Sequence, residues 1–320
     1  MQDKKTINNL NLSTGFFGKL PGFTDFIKYN AAGKEILTID NWLQEGLALA
    51  KLKYKNEWKD YYNNSLSLNF AYPFTGTDTT TIGVIVPSND KSGRSFPFLL
   101  FNNIKKNVND VSSFYLIPSA YREILQLYLD IIDESKLIED TSNLKSVTDN
   151  LKLSVVNNVL LADEYNKFIS ETKLSDVIVL ENQNQFDLNE FFEHNLRIFE
   201  HFVCFSYKLD LSVSGTSFLV SYYIQILQNI FKKSDSTFGI FWTQLDDKSW
   251  LLFLIFTKPS PKDFIDLLLY NRNSVMSSEE NSPDHKKEFH SGNFLFRANS
   301  KINSNISLSE FLNSIRSYLN

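Results

Sequence analysis

The sequence predicts an α/β fold, with a mixed, largely antiparallel central sheet and helices packed on its faces. Apolar runs come in pairs separated by polar turns, as at 82–87 with 96–102 and at 238–243 with 249–257. Between the pairs lie segments with apolar residues at helical spacing, as in 40–54, 118–134 and 216–233. Hairpin-like neighbours interrupted by helices argue against an all-parallel sheet, in which each strand needs a crossover before the next.

Residues 1–13 are polar and read as a loose leader without the apolar core of a signal peptide. A short buried strand is expected over 15–20, running into a turn made rigid by Pro21 and Gly22. Asp40 is placed to cap a helix reaching Tyr54, with Leu43, Leu47, Ala50 and Tyr54 on one face. Lys51, Lys53, Lys55 and Lys59 surround its end, where cations complement the helix dipole. Leu66, Leu68, Phe70 and Tyr72 alternate with smaller or polar residues, the pattern of a half-buried strand. The runs 82–87 and 96–102 suit central strands, and the polar loop 88–95 makes them a hairpin. Pro118 and Ser119 open a helix to about Glu134.

Residues 135–186 are rich in Asn, Asp, Lys and Ser and suit one or two short helices plus a strand. Asp187 and Glu190 have capping-box spacing and predict a helix to about Phe205, so 135–205 reads as a helical insertion. A helix from Thr216 to Lys233 follows, with Leu219, Tyr222, Tyr223, Ile226 and Ile230 at helical spacing. Strands over 238–243 and 249–257 are joined by a turn at Asp246-Asp247-Lys248. Ser260 then caps a helix that has Pro261 in its first position. One α/β domain is therefore expected over 14–272. A polar linker, a short strand at Phe294-Leu295-Phe296 and a helix over 308–319 complete the chain.

Of the 320 residues, 42% are apolar and 22% charged, enough for an ordinary core and not a disordered composition. With 28 Phe and 14 Tyr, that core should be aromatic. The net charge of −5 and the absence of a basic stripe exclude a nucleic-acid role. The single cysteine, Cys204, excludes an internal disulfide framework, and its apolar neighbours point to a buried, inert thiol. Trp250–Phe256 is too short to span a bilayer. No membrane insertion is expected, and a cytoplasmic location is.

Motifs of chemistry are missing. Gly15-x-x-Gly18-Lys19 has two residues between its glycines where a phosphate loop has four, and Leu20 follows where Ser or Thr is needed. His194 and His201 stand seven apart, too far for one zinc if helical, and His285 and His290 fall in the polar linker. No nucleophile elbow, Cys-His signature or carboxylate pair appears. No catalytic residue, metal or cofactor is assigned. What remains is a set of polar residues in two loops, including Lys19, Asp25, Asp90 and Arg94. Arg94 can pair with Asp25 or Asp90 and lock the loops together. Alternatively the loops 20–26 and 88–95 form a surface for a protein partner. Both readings stay open.

Two stretches carry a resemblance: Gly15-Phe16-Phe17-Gly18-Lys19-Leu20-Pro21-Gly22-Phe23-Thr24-Asp25-Phe26 and Gly83-Val84-Ile85-Val86-Pro87-Ser88-Asn89-Asp90-Lys91-Ser92-Gly93-Arg94-Ser95-Phe96-Pro97. Together they resemble the type VI secretion-associated TagF family, with its G-x-x-G-K-L-P-x-x-G-D-F and G-V-x-x-P-S-x-D-x-x-G-R-x-F-P-L patterns. Thr24 departs from the first pattern's late glycine, and Phe98 replaces the leucine that ends the second. Phe241-Trp242-Thr243 and Pro259-Ser260-Pro261-Lys262-Asp263-Phe264 resemble a later part of the family. The resemblance implies a non-enzymatic cytoplasmic accessory protein that restrains the secretion machine post-translationally. Its implied partners are a forkhead-associated scaffold protein or a membrane-complex component. The partner-binding candidates are Lys19, Pro21, Asp25, Asp90, Gly93 and Arg94. A structural or scaffolding subunit of the same apparatus is the alternative, and an enzyme acting on phosphoproteins a further one.

Overall fold

The computed structural model describes residues 14–74, 79–105, 111–136, 138–151, 158–177, 185–187, 196–198, 202–208, 216–230, 238–245, 249–256, 258–268 and 301–319. Its strands are β1 (Thr14–Gly18), β2 (Ile27–Tyr29), β3 (Leu68–Pro73), β4 (Thr79–Val86), β5 (Phe98–Lys105), β6 (Gln185–Asp187), β7 (Leu196–Ile198), β8 (Phe202–Lys208), β9 (Gly239–Gln244), β10 (Ser249–Ile255) and β11 (Lys301–Asn303). Nine of them form one sheet in the order β2-β1-β5-β4-β3-β9-β10-β8-β7, and β6 pairs with β11 separately. Each pairing among these described strands is antiparallel, so the sheet is antiparallel throughout rather than mixed.

The two expected hairpins form, with Val86 opposite Phe98 in one and Trp250 opposite Gln244 in the other. They meet where β3 pairs with β9 and Phe70 lies opposite Phe241. Alternate residues of each strand enter different apolar clusters. Ile82, Val84, Phe98, Leu100, Ile240, Trp242, Leu252 and Leu254 face one side. Ile85, Leu99, Phe101, Phe70, Phe241, Leu251 and Phe253 face the other. Because helices cover both sides, these strands read as continuous apolar runs and not as an alternation.

One side is covered by α1 (Lys34–Tyr54), α2 (Trp58–Asn63) and α8 (Pro261–Leu268). A Cβ on Gly46 of α1 would stand 2.2 Å from the Phe264 ring, so glycine there permits the close approach of α8. Trp42 Nε1 donates to the Ser260 carbonyl at 2.7 Å. Ser260 and Asp263 cap α8 reciprocally, through Ser260 N to Asp263 Oδ2 at 2.7 Å and Asp263 N to Ser260 Oγ at 3.3 Å. The cap at Ser260-Pro261 is thus as the sequence predicts. The cap at Asp40 is not. Helix α1 begins at Lys34, and Asp40 lies inside it, accepting from Gln44 at 2.7 Å.

The other side carries α3 (Ile117–Ala120), α4 (Arg122–Ser135), α5 (Thr141–Asp149), α6 (Asn158–Glu171), α7 (Thr216–Ile230) and α9 (Leu308–Leu319). The helix expected over 118–134 is divided at Tyr121 between α3 and α4. The helix expected over 187–205 is overturned at 187, 196–198 and 202–205, and its remaining residues lie outside the described ones. Leu196–Ile198 and Phe202–Lys208 are strands, and Arg197 and Cys204 face one another across the ladder. Runs such as Phe202–Phe205 are β-branched and aromatic, which favours extended backbone once a neighbouring strand is present. The C-terminal helix α9 inserts Leu308, Phe311, Leu312 and Ile315 into the same cluster as the sheet. The expected strand at 294–296, the linker 273–291 and the turn 246–248 lie outside the described residues.

A row of cross-strand neighbours runs Gly15–Phe101–Gly83–Phe70–Phe241–Phe253. The two glycines flank Phe101. A Cβ at Gly15 would lie 2.5 Å from the Phe101 ring, and one at Gly83 would lie 2.2 Å from the Leu100 carbonyl oxygen. The first conflict is with the far end of a side chain and the second with backbone. Gly15→Ala should therefore cost about 1–3 kcal/mol by overpacking and be largely rescued by Phe101→Leu. Gly83→Ala should cost at least as much and gain nothing from the same partner change. Thermal unfolding of the singles and doubles checks this; equal rescue at both positions would contradict the packing described.

Candidate functional site

Strand β1 ends at Gly18, whose φ of +132° favours glycine and whose missing Cβ would stand 2.1 Å from the Pro97 carbonyl oxygen. The chain then enters the loop 19–26 and turns at Pro21-Gly22, where Phe23 N donates to the Leu20 carbonyl at 3.0 Å. The loop 88–95, between β4 and β5, lies against it. Lys91 N donates to the Phe23 carbonyl at 2.8 Å, and an Arg94 Nη2 donates to the Thr24 carbonyl. The two sequence fingerprints thus form one corner of the sheet.

Asp90 is the centre of that corner. Its Oδ2 accepts from Lys19 Nζ at 2.9 Å and from Arg94 Nε at 2.7 Å. Its Oδ1 accepts from the backbone N–H groups of Ser92 and Arg94, both at 2.9 Å. The loop closes on itself through Gly93 N to the Asp90 carbonyl at 2.8 Å and Asp90 N to the Arg94 carbonyl at 3.1 Å. Gly93 takes φ +76°, the left-handed value this turn requires. Tyr62 of α2 holds the base of the loop, its hydroxyl donating to the Ser88 carbonyl at 2.9 Å and accepting from Ser88 N at 3.0 Å.

Burial separates the candidate residues into two sets. Asp90 and Lys19 are buried, at 2% and 6% exposure. Arg94 keeps 58% of its side chain in solvent, and Asp25 and Gly93 are exposed while Pro21 is half-buried. Of the two acids open to Arg94, the structure selects Asp90, four residues away in a tight turn. Asp25 instead accepts from its neighbour Phe26 N at 2.8 Å. Phe26 is 42% exposed, lies over Lys19 Nζ at 4.9 Å and packs on Phe17 and Phe96. Phe26 lies in the first fingerprint but is not among the named candidates, and Tyr62 is not singled out at all; it reaches the corner through a contact that no local spacing encodes.

Burial acts to raise the Asp90 carboxyl, but the Arg94 backbone N–H and the Lys19 and Arg94 side chains outweigh it. They hold the group well below the usual carboxylate range. Each carboxylate oxygen accepts from two donors, and the charge is compensated by the buried Lys19 and the largely exposed Arg94. Among the described residues, no three His, Cys, Asp or Glu side chains come close enough to share a metal ion. The four histidines lie outside the described residues.

Removing Asp90 strands the buried Lys19 ammonium, whereas removing Lys19 leaves Asp90 with Arg94 and two backbone N–H groups. Asp90→Asn should therefore destabilise by about 3–5 kcal/mol, Lys19→Met by less, and the double variant by less than their sum. Denaturant unfolding measures the cycle; additive losses would contradict the pairing. Because Asp90 is depressed when folded, its stabilisation is present above the unfolded carboxylate value of about 3.9 and is lost as pH falls through the lower folded value. Wild-type stability should therefore fall below about pH 4 more steeply than that of Asp90→Asn.

With this geometry in place, comparison with known proteins bears on identity. No curated protein matches the chain. Among solved structures, the chain is similar to the crystal structure of PA0076 from Pseudomonas aeruginosa PAO1. Their identity is 16% and the TM-score 0.48, covering 80% of this chain and 94% of that one. No helix among the described residues is long and apolar enough to cross a membrane. The family model described as "TagF N-terminal domain, Type VI secretion system-associated" matches residues 15–147, which include both loops of the Asp90 corner. The type VI secretion-associated TagF N-terminal domain family is thus the one that residues 15–147 of this chain match.

Proposed function

We propose that this chain is a cytoplasmic accessory protein of a bacterial type VI secretion system that restrains the machine after translation by binding other proteins. It carries out no chemistry of its own. The observation that carries the reading is the family match over residues 15–147. The geometry of the Asp90 corner supports it. The buried Lys19–Asp90 pair, joined by the exposed Arg94, ties the two loops together, and preorganised loops bind without losing much conformational entropy. Asp25, Phe26 and Arg94 are the groups this corner offers to a partner, while Lys19 and Asp90 hold them from beneath. Pro21 and Gly93 shape the two loops. The proposed partners are other components of the apparatus, a forkhead-associated scaffold protein or a member of the membrane complex.

Deleting the gene tests the regulatory role. Loss of a restraint raises secretion of the tube protein; abolished secretion would instead mark a building block and overturn the proposal. Asp25→Arg tests the surface. Asp25 is exposed and makes only a local hydrogen bond, so the variant should unfold within about 0.5 kcal/mol of wild type. It should nevertheless lose its partner in pull-downs from native cells read by mass spectrometry. An unchanged set of captured proteins would remove this corner as the contact.

A further inference from the structure

We infer that the basic, aromatic surface at the α1–α2 junction is a second docking site, for an acidic protein segment that carries an apolar anchor. The inference rests on the reading that the chain works by binding proteins, and it names a different surface from the Asp90 corner.

The junction is built around a strained turn. Lys55 closes α1 at φ +48°, a left-handed value uncommon for a residue with a Cβ. Such outliers persist where the surrounding structure imposes them, and they concentrate at functional positions. The turn folds Trp58 and Tyr61 back beside the last turn of α1. The Tyr54 and Tyr61 rings pack at a 34° tilt with centroids 4.4 Å apart, and all three rings are half-buried. Lys51 Nζ lies 4.8 Å from the Trp58 ring centroid, and Lys53 Nζ lies 5.3 Å from that of Tyr54. Leu52, between these two lysines, is 76% exposed, the highest of the exposed large apolar side chains described.

These cations are available. Among the described residues, Lys51, Lys53, Lys55 and Lys59 make no ion pair, and each is exposed. A ring face satisfies an ammonium only in part, so a carboxylate can still bind it, and the neighbouring ring supplies an apolar contact at the same place. Aromatic residues beside cations are the composition of protein-binding hot spots. Residues 51–60 hold four lysines against the exposed Glu57 and Asp60, and the net positive charge selects an acidic occupant. It also selects a short one: the chain as a whole carries −5, so a long polyanion or an anionic bilayer meets repulsion beyond the patch. The patch is joined to the first corner, since Trp58 packs on Tyr62 and Tyr62 holds Ser88 at the base of the 88–95 loop.

Fluorescence anisotropy with the full chain tests this. The probe is a short polyglutamate peptide with a central tryptophan. Wild type should bind it, more weakly as salt rises. Reversing Lys51, Lys53 and Lys59 together to Glu should cut affinity about tenfold or more. Trp58→Ala should reduce it severalfold. Reversing the exposed Lys28, Lys34 and Lys167 should leave it within about twofold. Equal losses from the two triple variants, or no binding by wild type, overturn the proposal. So does tighter binding of oligothymidylate or phosphatidylserine vesicles than of the peptide. These outcomes are independent of the secretion assay, so the docking site and the regulatory role can fail separately.

Discussion

A single carboxylate removed from water organises the distinctive end of this molecule. Asp90 is 2% exposed, and a charge so placed is tolerated only when it is compensated and fully hydrogen-bonded. Lys19 crosses from the neighbouring loop, Arg94 folds back from four residues downstream, and two backbone N–H groups fill the other oxygen. Because Lys19 belongs to the other loop, its bond to Asp90 ties 19–26 to 88–95. Apolar contacts alone would allow the loops to slide. A buried ion pair with directional hydrogen bonds admits one register.

That corner can be rigid because the sheet beneath it is. The row through Gly15, Phe101, Gly83, Phe70, Phe241 and Phe253 puts large rings side by side, with glycine only where the Phe101 ring and the β5 backbone press closest. Helices close both faces, and the C-terminal helix contributes Phe311 and Ile315 to the core although it lies some 200 residues beyond β5 in sequence. The opposite face also holds a polar group. Asn102 and Tyr128, both fully buried, are hydrogen-bonded to one another, and Thr14 lies within 3.4 Å of each. Such a triad satisfies its own members and ties β1, β5 and α4 together.

The protein thus presents two kinds of surface on one scaffold. At the Asp90 corner, polar groups are rigid and largely consumed in holding shape, leaving Arg94, Asp25 and Phe26 outward. At the α1–α2 junction, cations rest on rings and remain unneutralised. Tyr62 touches both, packing on Trp58 and hydrogen-bonding Ser88 at the base of the 88–95 loop.

How much of this was legible depended on range. Local chemistry was readable: the Ser260-Pro261 start of α8, the two hairpins with their polar connections, and the amphipathic stripe of α7 all depend on residues near one another in the chain. The two glycine-bearing stretches also marked themselves as partners, because glycine and proline at such density announce unusual backbone. The choice between Asp25 and Asp90 for Arg94 was not readable, since both lie within reach along the chain and only the fold buries one of them. The same holds for 196–198 and 202–208, where the capping-box spacing of Asp187 and Glu190 pointed to helix and the ladder through β10 made strand. Composition and local pattern determined an antiparallel-rich sheet clad in helices; which loops meet, which charge is buried and which rings stay exposed were decided by tertiary packing, because burial is a property of neighbours that sequence order does not supply.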